Sequence, residues 1–107
     1  MVFYVNNQRW DVVYCNSLSD NLRRSDGSLT LGVTDNSTKC VYMNNKLKGL
    51  KHEHVLCHEL CHVVCFEYNV KISIDLEERL CNFMADHARE IVEILDDILY
   101  ALKYNIS

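Results

Sequence analysis

The chain of 107 residues contains no proline and only three glycines, so neither a polyproline spacer nor a glycine-rich linker divides it, and no internal repeat or low-complexity tract interrupts it. That length suits one domain, residues 1–107, around one hydrophobic core. Nowhere do about 18 apolar residues follow one another, the length that a membrane-crossing helix needs. The opening Met1-Val2-Phe3-Tyr4-Val5 turns polar at Asn6 and Asn7 and has no basic leader, too little for a secretory signal. A cytoplasmic protein is expected. Positive charge is in deficit: 11 Lys and Arg against 15 Asp and Glu leave a formal charge of −4. A net anion is not drawn to nucleic acid or to an anionic membrane, and neither is expected as a partner.

Hydrophobic residues at 49% and charged residues at 24% form an ordinary globular composition. Six cysteines in so short a chain raise the question of disulfides, and their spacing argues against them. Cys57, Cys61 and Cys65 recur every four residues, which lines them along one side of a helix, where disulfide geometry is rarely met. Without an export signal, reduced thiols are expected. Cys15, Cys40 and Cys81 have apolar neighbours and read as small core residues. No Cys-x-x-Cys pair exists, which weighs against a zinc-thiolate cluster.

Residues 8–15, with Trp10, Val12, Val13 and Tyr14, have strand character, and the polar stretch 16–28 with Asp26-Gly27 reads as a loop. Two short strands, 29–34 and 39–43, flank the turn-forming Asp35-Asn36-Ser37-Thr38 and predict a hairpin. Over residues 46–68 the period becomes helical: Leu56, Leu60, Val63 and Val64 share one face, and Gly49 places the start just after it. A turn over 69–73 leads to a second helix, for which Asp75 is the expected N-cap. Its apolar period runs through Leu76, Leu80, Phe83, Met84, Ile91, Ile94, Leu95, Ile98 and Leu102. The expected order is strand, loop, hairpin, helix, helix.

Within the first helix, His58-Glu59-Leu60-Cys61-His62 matches His-Glu-x-x-His. Positions four apart are neighbours on one helix face, so both imidazoles can address one ion. Glu59 lies about 100° round from His58 and about 60° from His62 at helical pitch, a position from which it reaches a metal-bound water rather than the metal. Such a carboxylate takes the water's proton and later hands it to a leaving amine. Between Val55 and Phe66 every other residue is apolar or Cys. A helix so apolar all round is expected to be largely buried, where a lone carboxylate is costly unless its charge is stabilised. The metal-free alternative makes both histidines satisfied core residues and pairs Glu59 with a cation.

A catalytic zinc takes a third protein ligand and keeps one position for water. The second helix offers Glu77 and Glu78, and antiparallel helices joined by a short turn bring Glu78 to the histidine pair. The plain alternative for both acids is a solvated first turn favoured by the helix dipole. Asn82, one turn beyond Glu78, is a candidate to orient a ligating histidine through its second ring nitrogen. His54, four residues before His58, reads as a substitute ligand or a surface histidine, and His87 and Tyr68 are weaker candidates for stabilising an oxyanion.

His58-Glu59-Leu60-Cys61-His62 followed by Glu78-Arg79-Leu80-Cys81-Asn82-Phe83-Met84-Ala85 resembles the ImmA/IrrE family of bacterial and phage metallopeptidases. That family carries His-Glu-Leu-x-His and then a helix reading Glu-x-x-Ala-Asn-x-Phe-Ala. The likeness covers mainly residues 50–90, and here Cys81-Asn82-Phe83 stands where the family has Ala-Asn-x-Phe. It implies an α+β, minimal zincin-like fold, with a small antiparallel sheet packed on a metal-bearing helix and a long C-terminal helix beside it. It also implies Zn2+ held by His58, His62 and Glu78, with Glu59 as general base. By analogy the activity is that of a zinc-dependent metallopeptidase from a phage or mobile element, acting on a protein or peptide substrate such as a regulator. The alternative is a metal-stabilised, non-catalytic protein-binding module, closed by a fourth protein ligand such as His54 or Cys61. The aliphatic stripe from Ile91 to Leu102 exceeds what a small core covers, so a homodimer through the C-terminal helix is a further expectation.

Overall fold

In the computed structural model, which describes residues 1–104, Asn6 and Asn7 both take positive φ (49° and 62°) and close a two-residue hairpin between β1 (Val2–Val5) and β2 (Gln8–Cys15). Two consecutive left-handed residues are what a twisted antiparallel pair needs at its turn, and Asn tolerates that conformation. The first strand was not part of the sequence expectation. Its four residues, Val2-Phe3-Tyr4-Val5, are all β-branched or aromatic as strands favour, but so short a run becomes a strand through the Asn6–Asn7 turn and the pairing of Val2 with Asp11 through Val5 with Gln8.

The loop after β2 contains one 3-10 turn, Asp20–Leu22, which buries Leu22 completely. The expected hairpin follows as β3 (Gly32–Asp35) and β4 (Cys40–Asn44), with its turn one residue later than predicted, at 36–39. Asp35 Oδ1 accepts hydrogen bonds from the Ser37 backbone and hydroxyl, and these bonds hold its carboxyl below the usual range.

The sheet order is β1-β2-β4-β3, with β2 parallel to β4 and the other two pairs antiparallel. This corrects the expected antiparallel sheet: the sheet is mixed. After the long loop the chain enters at the far edge as β3, and the returning β4 is inserted beside β2 in the same direction. The architecture is α+β, four strands and two helices.

Helix α1 (Gly49–Glu67) starts where the sequence suggested, and Gly49 adopts φ +59°, which L side chains resist. It ends in a Schellman arrangement: Val70 N–H donates to the Cys65 carbonyl at 3.0 Å, Asn69 N–H to that of Phe66 at 3.3 Å, and Asn69 supplies the left-handed residue. Helix α2 (Ile74–Lys103) is capped by Ser73, not by the expected Asp75; the Ser73 hydroxyl accepts from Leu76 N–H at 3.2 Å. Asp75 and Glu77 sit inside the first turn.

The core cluster joins Trp10, Val41 and Met43 of the sheet to Val63 of α1, with Phe3, Val5, Val12, Leu47, Val55 and Leu56 packed around it. Trp10 is fixed by its indole N–H, which donates to Glu67 Oε1 at 3.1 Å, and Lys39 bonds the same oxygen while lying 5.2 Å over the indole. Helix α1 lies between the sheet and α2. Contrary to the expectation for so apolar a helix, only Glu59, His62, Val63 and Cys65 of α1 are buried. Two sides of it are covered, and the third leaves Val64 and Phe66 exposed. Among the described residues no helix is long and apolar enough to cross a membrane.

Candidate metal centre

The Asn69 cap turns the chain back so that the first turns of α2 lie against the last turns of α1. His58, His62 and Glu78 then present ligand atoms that all lie within 4.8 Å of one another. Nε2 of His62 is 3.2 Å from Nε2 of His58 and 2.8 Å from Glu78 Oε1, and His58 Nε2 is 3.3 Å from Glu78 Oε2. Ligand atoms around a tetrahedral ion with bonds of about 2.0–2.1 Å stand about 3.3–3.4 Å apart, so the spacing of this donor set suits one small cation.

Glu77 strengthens that fit. Its Oε2 lies 2.6 Å from Nδ1 of His62, and its side chain is only 13% exposed. A proton on Nδ1, donated to Glu77, leaves a lone pair on Nε2 facing a carboxylate and a second imidazole. In that tautomer the Nε2 lone pair of His62 and the carboxylate of Glu78 face each other as two acceptors, an arrangement that one shared cation satisfies. Glu77, offered by the sequence beside Glu78 as a third ligand or a solvated first-turn acid, is neither and holds the His62 ring. The role expected of Asn82 falls to it instead, and Asn82 is exposed.

Glu59 is 8% exposed and lies beside the cluster, with Oε2 3.9 Å from His58 Nε2. The Thr34 hydroxyl stands 2.9 Å from Glu59 Oε1 and 3.0 Å from its backbone carbonyl, and its single proton serves one of these acceptors at a time. Gly32 lets the helix approach this closely. A Cβ there would come within 3.0 Å of Glu59 Cγ and Val55 Cγ1, and within 3.2 Å of Met43 Sδ. Neither Thr34 nor Gly32 carries a sequence signal, because both act across more than 20 residues of chain.

These residues form the wall of a cleft of about 460 Å³, bounded by Gly32, Val33 and Thr34 of β3, by α1, and by Ile74, Glu77 and Glu78 of α2, with Arg24 at its rim. Strand β3 is the edge of the sheet, so one side of its backbone faces no other strand. The other candidates lie outside the cluster. His54 Nδ1 is 3.3 Å from Asp86, His87 Nδ1 is 3.1 Å from Glu90, and Tyr68 is exposed at the end of α1.

Behind the His58/His62/Glu78 cluster, the thiols of Cys61, Cys65 and Cys81 meet across the α1–α2 interface. Burial, reinforced by the neighbouring Cys61, pushes the Cys65 thiol up to about 11, and burial raises Cys81 further. Cys65 and Cys81 are thus neutral packing groups at neutral pH rather than thiolate ligands. All six cysteines are unpaired. Comparison of the chain with protein-family models, with curated proteins and with solved structures found no match to any of them.

Proposed function

We infer that this chain is a metal-dependent peptidase, with zinc as the cation that best suits two imidazoles and one carboxylate. The observation that carries this reading is the convergence of His58, His62 and Glu78 beside the buried carboxylate of Glu59, in a cleft bordered by an unpaired strand edge. A cation bound there supplies Lewis acidity toward a scissile carbonyl and lowers the pKa of a bound water.

The chain's own residues do the rest. An extended peptide adds to the free edge of β3, and backbone hydrogen bonds align it across the mouth of the cleft. Glu59 accepts the proton of the attacking water and returns it to the departing amine nitrogen. Thr34 holds the Glu59 carboxylate in place by its hydrogen bond to Oε1. Glu77 holds the His62 ring by Nδ1. The resemblance to ImmA/IrrE peptidases points the same way, and a regulatory protein is the substrate class it suggests. The non-catalytic reading needs a fourth protein ligand, and neither His54 nor Cys61 is among the three residues that converge.

The test combines elemental analysis with a cleavage assay on an unfolded protein substrate. One zinc per chain, lost in His58→Ala, together with cleavage abolished by a chelator and by Glu59→Gln, is the expected outcome. Absence of metal from the purified protein, or full cleavage by the Glu59→Gln variant, overturns the reading.

A further inference from the structure

Helix α2 has 30 residues and α1 has 19, and the two run antiparallel from the 69–73 turn. Their contact ends near Arg89, which pairs with Glu53, and near Ala88, which shares a groove with Leu50. Helix α1 begins at Gly49, so the stretch of α2 beyond Arg89 has no α1 beside it. The 55 Å long axis of the molecule reflects this overhang.

The overhang is not polar. Along the covered half of α2, Glu77, Cys81, Met84 and Ala88 follow one another at steps of four, three and four residues, the 3.5-residue period of a packed helix seam. The same steps continue without a break through Ile91, Leu95, Ile98 and Leu102. Val92, Ile94, Leu99 and Ala101 flank this line, whereas Glu90, Glu93, Asp96, Asp97 and Lys103 all fall outside it. A helix facing only water has no use for such a division. Yet Ile91, Val92, Ile94, Leu95, Ile98 and Leu99 are each 50–53% exposed, and Leu102 is 73% exposed.

We propose that two copies of this chain associate through the 90–103 segments of their α2 helices, packed antiparallel about a two-fold axis between Asp96 and Asp97. The stripe is self-complementary about that point. Ile91 of one copy lies level with Leu102 of the second, and Leu95 lies level with Ile98, as an isologous interface requires. The seven exposed aliphatic side chains offer at most on the order of 600 Å² per copy and so about 1,200 Å² in the pair when fully covered, the lower edge of the range of stable interfaces. Charge excludes an anionic lipid surface as the occupant, because Glu90, Glu93, Asp96 and Asp97 outnumber Arg89 and Lys103 along the stretch. The association leaves the cleft at the other end of α2 open.

Sedimentation equilibrium of the full chain tests this across a range of concentrations. The wild type is expected at twice the chain mass at micromolar concentration. Leu95→Lys and Ile98→Glu each place a charge in the seam and are expected to weaken association by at least about 100-fold, with helical circular dichroism and metal content unchanged. An equimolar mixture of the two variants restores the dimer, because the introduced lysine of one chain lies level with the introduced glutamate of the other while Ile98 and Leu95 remain paired. A monomeric wild type, or variants that stay dimeric, overturns the proposal. A mixture that stays monomeric overturns the antiparallel register.

Discussion

The carboxylate of Glu77 grips Nδ1 of His62 at 2.6 Å and so fixes which ring nitrogen faces Glu78 and His58. Partners of this kind hold a ligating imidazole in one tautomer and one orientation, and their loss typically lowers metal affinity 10- to 100-fold. Glu77→Ala is accordingly expected to keep one metal per chain but to bind it about 10- to 100-fold more weakly in competition with a chromophoric chelator. Unchanged affinity would make Glu77 a bystander.

Thr34 should act on the rate and not on the metal. Its hydroxyl reaches Oε1 of Glu59 from the edge strand, and a base displaced by a fraction of an ångström loses efficiency. Thr34→Val preserves shape and removes the donor. The expected result is a fall of about tenfold in kcat with KM and metal content unchanged, and recovery in Thr34→Ser. A change confined to KM would place Thr34 in substrate contact instead.

The part of this site that was legible in the sequence is the part encoded within one helix turn or by a short turn between helices. His58, Glu59 and His62 are fixed relative to one another by helical periodicity, and Glu78 follows from the antiparallel return of the chain. Strand β2 and the start of α1 at Gly49 were readable for the same local reasons. The parallel pairing of β2 with β4 was not, because a strand pattern records which faces are buried and not which neighbour is chosen. The inward turn of Glu77 toward His62 was not legible, because first-turn acids are common on helix dipoles and nothing local separates Glu77 from Glu78 or distinguishes the one that turns inward.

Gly32 marks where sheet and helix are closest. A Cβ at Gly32 would stand 3.0 Å from both Glu59 Cγ and Val55 Cγ1, so Gly32→Ala requires these side chains to give by a few tenths of an ångström, and Glu59 has the least room because Thr34 holds its carboxylate. Overpacking of this kind costs about 1–3 kcal/mol. A lower urea midpoint with an unchanged slope, accompanied by reduced cleavage, is the expected outcome. A variant as stable and as active as the wild type would show that the helix yields freely at this point.

Glu67 provides a pH test away from the candidate metal centre. The Lys39 ammonium and the Trp10 indole N–H both bond its carboxylate and hold its pKa below the ordinary 4.5. A carboxyl whose pKa is lower in the folded chain than in the unfolded chain binds fewer protons when folded, so stability rises with pH through that interval. Its contribution is complete above the ordinary carboxyl range and fades as pH falls below about 4.5 through the folded value. Glu67→Gln removes the titration. Wild type and variant should differ in urea midpoint at pH 7 and draw together as the pH falls below 4.5 through the folded value, where the wild-type carboxyl also becomes neutral. A gap of constant size over that interval would mean that Glu67 acts by shape and hydrogen bonding to Trp10, with no part played by its charge.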